Sequence, residues 1–119
     1  MSQDRDYERL RRMRDFSYKA VELCRGRCRQ DLDTDEVLTL ALQRLLELIG
    51  EAARNISPVL RARHSEIPWS SVIGTRDRLA HGYMKISYNV VWAVITVDLP
   101  ALIAQVEILL KNEFKDADR

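Results

Sequence analysis

The sequence predicts an all-α fold, an up-and-down antiparallel four-helix bundle, and three observations carry that expectation. Glycine and proline are scarce, with four and three copies in 119 residues. No strand-like alternation of apolar and polar residues persists along the chain. Apolar residues recur instead at three- and four-residue spacing in four stretches, the period of a helix with one buried face. The links between these stretches are short, which makes neighbours in sequence antiparallel neighbours in space.

The first stretch aligns Leu10, Met13, Ser17, Ala20, Val21, Cys24 and Cys28 on one face, with Arg9, Arg11, Arg12, Glu22, Arg25 and Arg29 on the other. Both cysteines fall on the apolar stripe and read as buried thiols. No further cysteine or nearby histidine completes a metal-binding set with them.

The second stretch opens on a capping signal, Asp33 with Glu36 three residues on. It then lines up Leu38, Ala41, Leu42, Leu45, Leu48, Ile49, Ala52 and Ile56. Ser57-Pro58 ends it and supplies a new cap with proline at the first helical position, so Val59 to Arg63 are expected to form a short extra helical turn. Pro68 starts the third stretch, and Gly82 is expected to stop it as a C-terminal cap. Ser87 caps the fourth, whose stripe reads Tyr88, Val91, Trp92, Ile95, Leu99, Leu102, Ile103, Val106, Leu109 and Leu110. Pro100 falls inside that stripe and should kink the helix or split it in two.

A chain of this length holds one domain, here residues 1–119, with enough apolar residues for one core. No apolar run approaches the roughly 20 residues of a membrane span. The charged start, Met1 to Asp6, leads into no signal region. A cytoplasmic protein without a membrane partner is the expectation. The formal net charge of +1 excludes a global basic field. The basic residues are 15 arginines and only 4 lysines. Arginine's rigid fork matches phosphate, although genomic base composition would produce the same bias.

The chemistry concentrates in the third stretch. Trp69, Val72, Ile73, Ala80 and Tyr83 describe an apolar stripe, and Arg76 lies in the middle of it. A permanent charge there is costly unless it is paired, snorkels outward or faces a cleft. Glu47 and Glu51 are candidate partners; an anion in a groove is the functional alternative. His81 follows five residues later, roughly 140° around an ideal helix from Arg76. Either Gly82 unwinds the last turn and re-aims His81, or the site wraps the helix flank and takes in a second chain. Asp77, four residues before His81, stands beside it and can fix the imidazole tautomer. Gly74 sits mid-helix at a cost of about 1 kcal/mol relative to alanine. Close approach of another backbone would justify it; a tolerated weak spot is the other reading.

At these residues the sequence resembles a known family. The run Gly74-Thr75-Arg76-Asp77-Arg78-Leu79-Ala80-His81-Gly82-Tyr83 is similar to the HEPN signature: arginine, four residues, histidine, any residue, tyrosine. Its lead-in Ile67-Pro68-Trp69-Ser70, the upstream Ile49-Gly50-Glu51-Ala52-Ala53-Arg54 and the downstream Tyr88-Asn89-Val90-Val91-Trp92 also resemble HepT-type toxins of that superfamily. The resemblance runs from about residue 5 to about residue 112. It departs at Met84-Lys85-Ile86-Ser87, where the family more often has aromatic and glycine residues.

The resemblance implies a dimerising helical bundle with metal-independent RNA cleavage and no cofactor. It implies Arg76 and His81 as catalytic, Asp77 as supporting, and Tyr83 as the acceptor of AMP from a nucleotidyltransferase antitoxin. The expected partners are therefore a second copy, that antitoxin and an RNA substrate. The residue types suit the reaction. Histidine titrates near neutral pH and can move the proton of a 2′-hydroxyl, while arginine stabilises charge on the phosphate. An acid and a base are both needed, and a two-fold dimer would supply two motif histidines. His64, after Arg61 and Arg63, reads as structural or as a minor RNA contact. The rival expectation is an inactive domain of this class that binds nucleotide or RNA, or that only holds the nucleotidyltransferase.

Overall fold

The computed structural model describes the backbone of residues 2–81 and 87–114 and the side chains of residues 5–75 and 87–114. The chain forms helices α1 (Ser2–Cys24), α2 (Asp31–Thr34), α3 (Glu36–Arg54), α4 (Pro58–Arg63), α5 (Trp69–His81) and α6 (Tyr88–Ala93). A π-helical turn (Val94–Asp98) then leads into α7 (Leu99–Glu113). No strand occurs among the described residues. The fold is the expected all-α bundle: α1 packs on α3 and α7, and α3 also packs on α5.

Long-range contacts fix the directions. Near the start of α1, Arg9 donates to the carbonyl of Asn55, just past α3 (2.6 Å), and the Tyr7 ring lies 5.3 Å from that of Phe114, just past α7. Beyond the end of α1, Arg27 pairs with Asp35 at the start of α3 (2.8 Å), and Arg29 bonds Asn89 in α6. The helix α1 is therefore antiparallel to α3 and to the α6–α7 run.

Helix α1 buries Leu10, Met13, Ser17, Ala20 and Cys24 as expected. The buried Ser17 hydroxyl is satisfied by the Met13 carbonyl (2.6 Å). Cys28 does not share this burial: it is exposed. The helix stops at Cys24, and Gly26 adopts φ +74, the left-handed conformation that ends helices and suits glycine. The stripe is cut four residues before Cys28. Burial also raises the pKa of the Cys24 thiol.

The cap of α3 differs from expectation as well. Asp33 lies within α2, and Asp35 caps α3 by accepting from the N–H of Leu38 (3.0 Å). Leu32 of α2 is buried in the core, and the buried Thr39 hydroxyl donates to its carbonyl (2.9 Å). A leucine anchoring a single helical turn therefore moves the start of α3 beyond the first acidic residue able to cap it. Helix α3 is the central element, burying Leu38, Leu42, Leu46, Ile49, Ala52 and Ala53, a wider face than one stripe. Ser57 caps α4 with Pro58 at its first position, as expected.

Ser87 caps α6 by accepting from Asn89 N–H (3.1 Å). The last helix is interrupted ahead of Pro100, as expected: α6 ends at Ala93 and α7 begins at Leu99, with the π-helical turn between them. The helical run continues from Tyr88 to Glu113 because the hydrogen bonding slips by one residue ahead of the proline, Leu99 N–H reaching the Val94 carbonyl. The wider π-turn takes up the pyrrolidine ring and the missing donor without breaking the rod. This 26-residue run is long and apolar enough to cross a membrane by length and composition alone. That corrects the expectation that no stretch approaches such a span. Much of its apolar character serves the core, since Val91, Ile95, Leu99, Leu102, Ile103, Val106, Leu109 and Leu110 are all buried.

Candidate nuclease motif at one end of the bundle

The helix α5 carries the motif. Trp69 anchors its start: the indole is buried, and Nε1 donates to the His64 carbonyl (3.0 Å). Pro68 contributes its carbonyl to the N–H of Val72 (3.1 Å), so helical bonding begins at the proline. Val72 and Ile73 pack partly buried against the core. Thr75 returns its hydroxyl to the Ser71 carbonyl (3.0 Å).

His64 is structural. Its Nε2 lies 2.8 Å from Glu113 and its Nδ1 lies 3.4 Å from Glu66, with Arg63 also 3.2 Å from Glu113. This cluster ties α4, and the turn before α5, to the end of α7. Because the start of α5 is held at the end of α7, its thirteen residues, about 20 Å of helix, run back toward the start of α6. Helix α5 thereby runs toward the bundle end that also holds Arg27, Arg29, Asp35 and Asn89.

Arg76, Asp77 and His81 lie on α5, but their side chains are outside the described residues; Gly82 and Tyr83 are outside them altogether. What the backbone does settle is the angular question. The helix continues through His81, so Arg76 and His81 stand five helical residues apart, roughly 140° of rotation. The alternative in which Gly82 re-aims His81 lies outside the described residues. Of the carboxylates that sequence suggested as partners for Arg76, Glu47 lies 3.7 Å from Arg44.

At Gly74 an added Cβ would meet nothing within 4 Å. Among the described residues no other element makes a close approach there, so their packing does not require glycine. On another flank of α5, a cavity of about 370 Å³ opens between α3, α5 and α7. It has apolar walls from Leu46, Ile49, Val72 and Leu102, with Thr75 and Asp98 at its polar margin. Among the described residues no group of three or more histidines, cysteines or acids is placed to hold a metal ion.

The contacts that sequence reading missed are the pairings made by folding. Glu113 meets His64 across 49 residues and Asn89 meets Arg29 across 60. No periodicity announces contacts at such separation.

A small up-and-down helical bundle with an Arg-x4-His run at the end of its third long helix defines a class of helical nuclease-like domains. The Ribonuclease HepT-like family model matches residues 5–109, and the chain belongs to that family. It is 39% identical over 93 residues to a candidate RNase of Caldanaerobacter subterraneus subsp. tengcongensis, covering 78% of this chain and 83% of that protein. It is 37% identical over 90 residues to a candidate ribonuclease HepT of Thermococcus cleftensis, covering 76% and 82%. A candidate RNase of Methanocaldococcus jannaschii is 34% identical over 85 residues, covering 67% and 78%. No solved structure matches the chain.

Proposed function

We propose that this chain is a metal-independent endoribonuclease of the toxin type, acting as a homodimer and silenced by a nucleotidyltransferase partner. The observation that carries the reading is the intact Arg76, His81 and Tyr83 set within a family of ribonucleases. A domain kept only as a scaffold has no need of that trio.

In the proposed reaction one motif histidine, as base, takes the proton of the RNA 2′-hydroxyl. The 2′-oxygen attacks the adjacent phosphorus and the bond to the 5′-oxygen breaks. A second histidine, protonated, gives its proton to that leaving oxygen, leaving a 2′,3′-cyclic phosphate. Arg76 offers its fork to the oxygens that gather charge at phosphorus. Asp77, one helical turn before His81, holds the imidazole in one tautomer. Each chain has one motif histidine, and it lies well around the helix from Arg76, so a complete set of groups calls for two chains meeting at α5. Gly74, on the motif helix and with no close neighbour among the described residues, is where a second backbone can come close. Transfer of AMP to Tyr83, two residues from His81, would place a bulky anion at the entrance for an RNA phosphate and stop turnover.

End-group analysis tests the reaction type. Purified protein should leave RNA fragments with 2′,3′-cyclic phosphate or 3′-phosphate ends. Fragments with 3′-hydroxyl ends would mean that water, not the RNA's own hydroxyl, is the nucleophile, and would overturn the proposal.

A further inference from the structure

The cavity between α3, α5 and α7 has no part in the chemistry proposed above. Its volume, about 370 Å³, lies in the range of small-molecule sites. Leu46 and Ile49 wall it from α3, Val72 from α5 and Leu102 from α7, so its interior favours an apolar body. Val94 and Asp98, the two ends of the π-turn, both line it, and π-turns inside helices occur often at functional sites.

The rim is built mainly of hydrogen-bond acceptors. Asp98 makes no hydrogen bond or ion pair among the described residues, and although it directly precedes α7 its side chain caps nothing. The Thr75 hydroxyl gives its proton to the Ser71 carbonyl, which leaves its oxygen as an acceptor. Gln105 turns its amide nitrogen to the Glu66 carbonyl (3.1 Å), so its oxygen is the free end. Glu66 adds a second carboxylate, 3.4 Å from Nδ1 of His64. Among the described residues no lysine, arginine or histidine lines the cavity. A phosphate or carboxylate is therefore repelled, and the fitting ligand is an apolar ring that brings its own N–H donors.

Position along α5 selects the ring. Val72 and Thr75 reach the cavity from that helix. Arg76 follows Thr75 directly and stands one turn beyond Val72, about 6 Å along the axis. A nucleotide whose phosphate meets Arg76 has its base within reach of the opening. We infer that the cavity is a base pocket, which takes an adenine, guanine or cytosine of the RNA substrate and in which Asp98 is the specificity-determining residue. Each of these bases carries an amino group on its pairing edge, a donor for the Asp98 carboxylate. Uracil has a carbonyl oxygen in its place and is repelled. The RNA as source rests on the proposed ribonuclease reading. The preference for a donor-bearing ring rests on the walls and rim alone, and a free nucleoside offers the same ring.

The test uses full-length protein, with every variant shown to be folded by circular dichroism. In methyl NMR titrations, millimolar adenosine should shift the signals of Val72 and Leu102 and leave those of Leu38 in place. Uridine should bind about tenfold more weakly. Ala101 is exposed at the cavity margin, and Ala101→Phe should abolish the shifts. Asp98→Asn offers a donor as well as an acceptor and should bring the two nucleosides within about twofold. On RNA of random sequence, sequencing of the cut ends should find uracil depleted about tenfold at one position flanking the cut, and Asp98→Asn should remove the depletion. Unshifted Val72 and Leu102 signals with every nucleoside overturn the pocket. Equal binding of adenosine and uridine, or an unchanged preference in Asp98→Asn, overturns the role of Asp98. Nucleoside binding with even base use at the cut means that the pocket takes a free nucleoside, and overturns the link to the substrate. A protein that cuts no RNA while adenosine still shifts the methyl signals supports the pocket and counts against the ribonuclease reading alone.

Discussion

The carboxylate of Asp6 accepts two hydrogen bonds from Ser57, one from its backbone N–H at 2.9 Å and one from its hydroxyl at 2.7 Å. Asp6 is buried, and the pair joins the first helix to the cap of the fourth across 51 residues. The Ser57 oxygen serves twice, since it also accepts from the N–H of Leu60 (3.4 Å).

Ser57→Ala should therefore cost more than an ordinary cap. Loss of the cap alone is worth about 1 kcal/mol. Removing a hydroxyl donor from a buried carboxylate adds to it, for a total of about 1–3 kcal/mol. Urea unfolding of Ser57→Ala should show a lower midpoint with an unchanged slope. A midpoint equal to wild type would mean that water replaces the hydroxyl at no cost.

Acid should loosen the start of α3. The backbone N–H of Leu38, then the guanidinium of Arg27, hold the Asp35 carboxyl below its ordinary value. A folded-state pKa below the unfolded one gives stability that is complete above the unfolded value and is lost as pH falls through the folded one. Asp35→Asn should remove that part of the acid sensitivity. A thermal melt series from neutral to acid pH, wild type against Asp35→Asn, should show the two curves converging at the acid end. Parallel curves would contradict the assignment.

Much of this fold can be read from the residues, and the failures share a cause. The α3 and α7 stripes, the Ser57 and Ser87 caps and Pro58 at the head of α4 are local patterns, decided within one or two helical turns. Cys28 was misplaced because a single glycine, Gly26 at φ +74, ends α1 ahead of it. Asp33 and Asp35 are both plausible caps, and the choice is made by Leu32, whose burial is a tertiary event. Pro100 signals trouble for an α-helix but not its resolution as a π-turn. For the candidate site, the resemblance to the HEPN signature names the residues, and the structure adds the continuity of α5 through His81. The Arg29–Asn89 and His64–Glu113 pairings lie beyond the reach of any local pattern.

Chelation should leave activity intact. A reaction in which the RNA supplies its own nucleophile and histidine moves the protons needs no metal-bound water. RNA cleavage in excess EDTA should proceed within about twofold of the untreated rate. Loss of cleavage on chelation, restored by one added divalent ion, would reassign the chemistry.

Modification should silence the protein without unfolding it. After incubation with ATP and the proposed nucleotidyltransferase partner, mass spectrometry should find AMP on Tyr83. The modified protein should keep its helical signal and lose RNA cleavage, because an anion now stands where a phosphate must enter. Tyr83→Phe should resist modification and still cleave. AMP on another residue, or full activity with Tyr83 modified, would end this part of the account.

The central claim is that Arg76 and His81 perform the cleavage. RNase assays on purified His81→Ala and Arg76→Ala, each confirmed folded by circular dichroism, test it most directly. Each variant should lose at least about a hundredfold in cleavage rate, the low end of what one acid–base group or one charge-stabilising group contributes. Wild-type cleavage by folded His81→Ala protein would contradict the account.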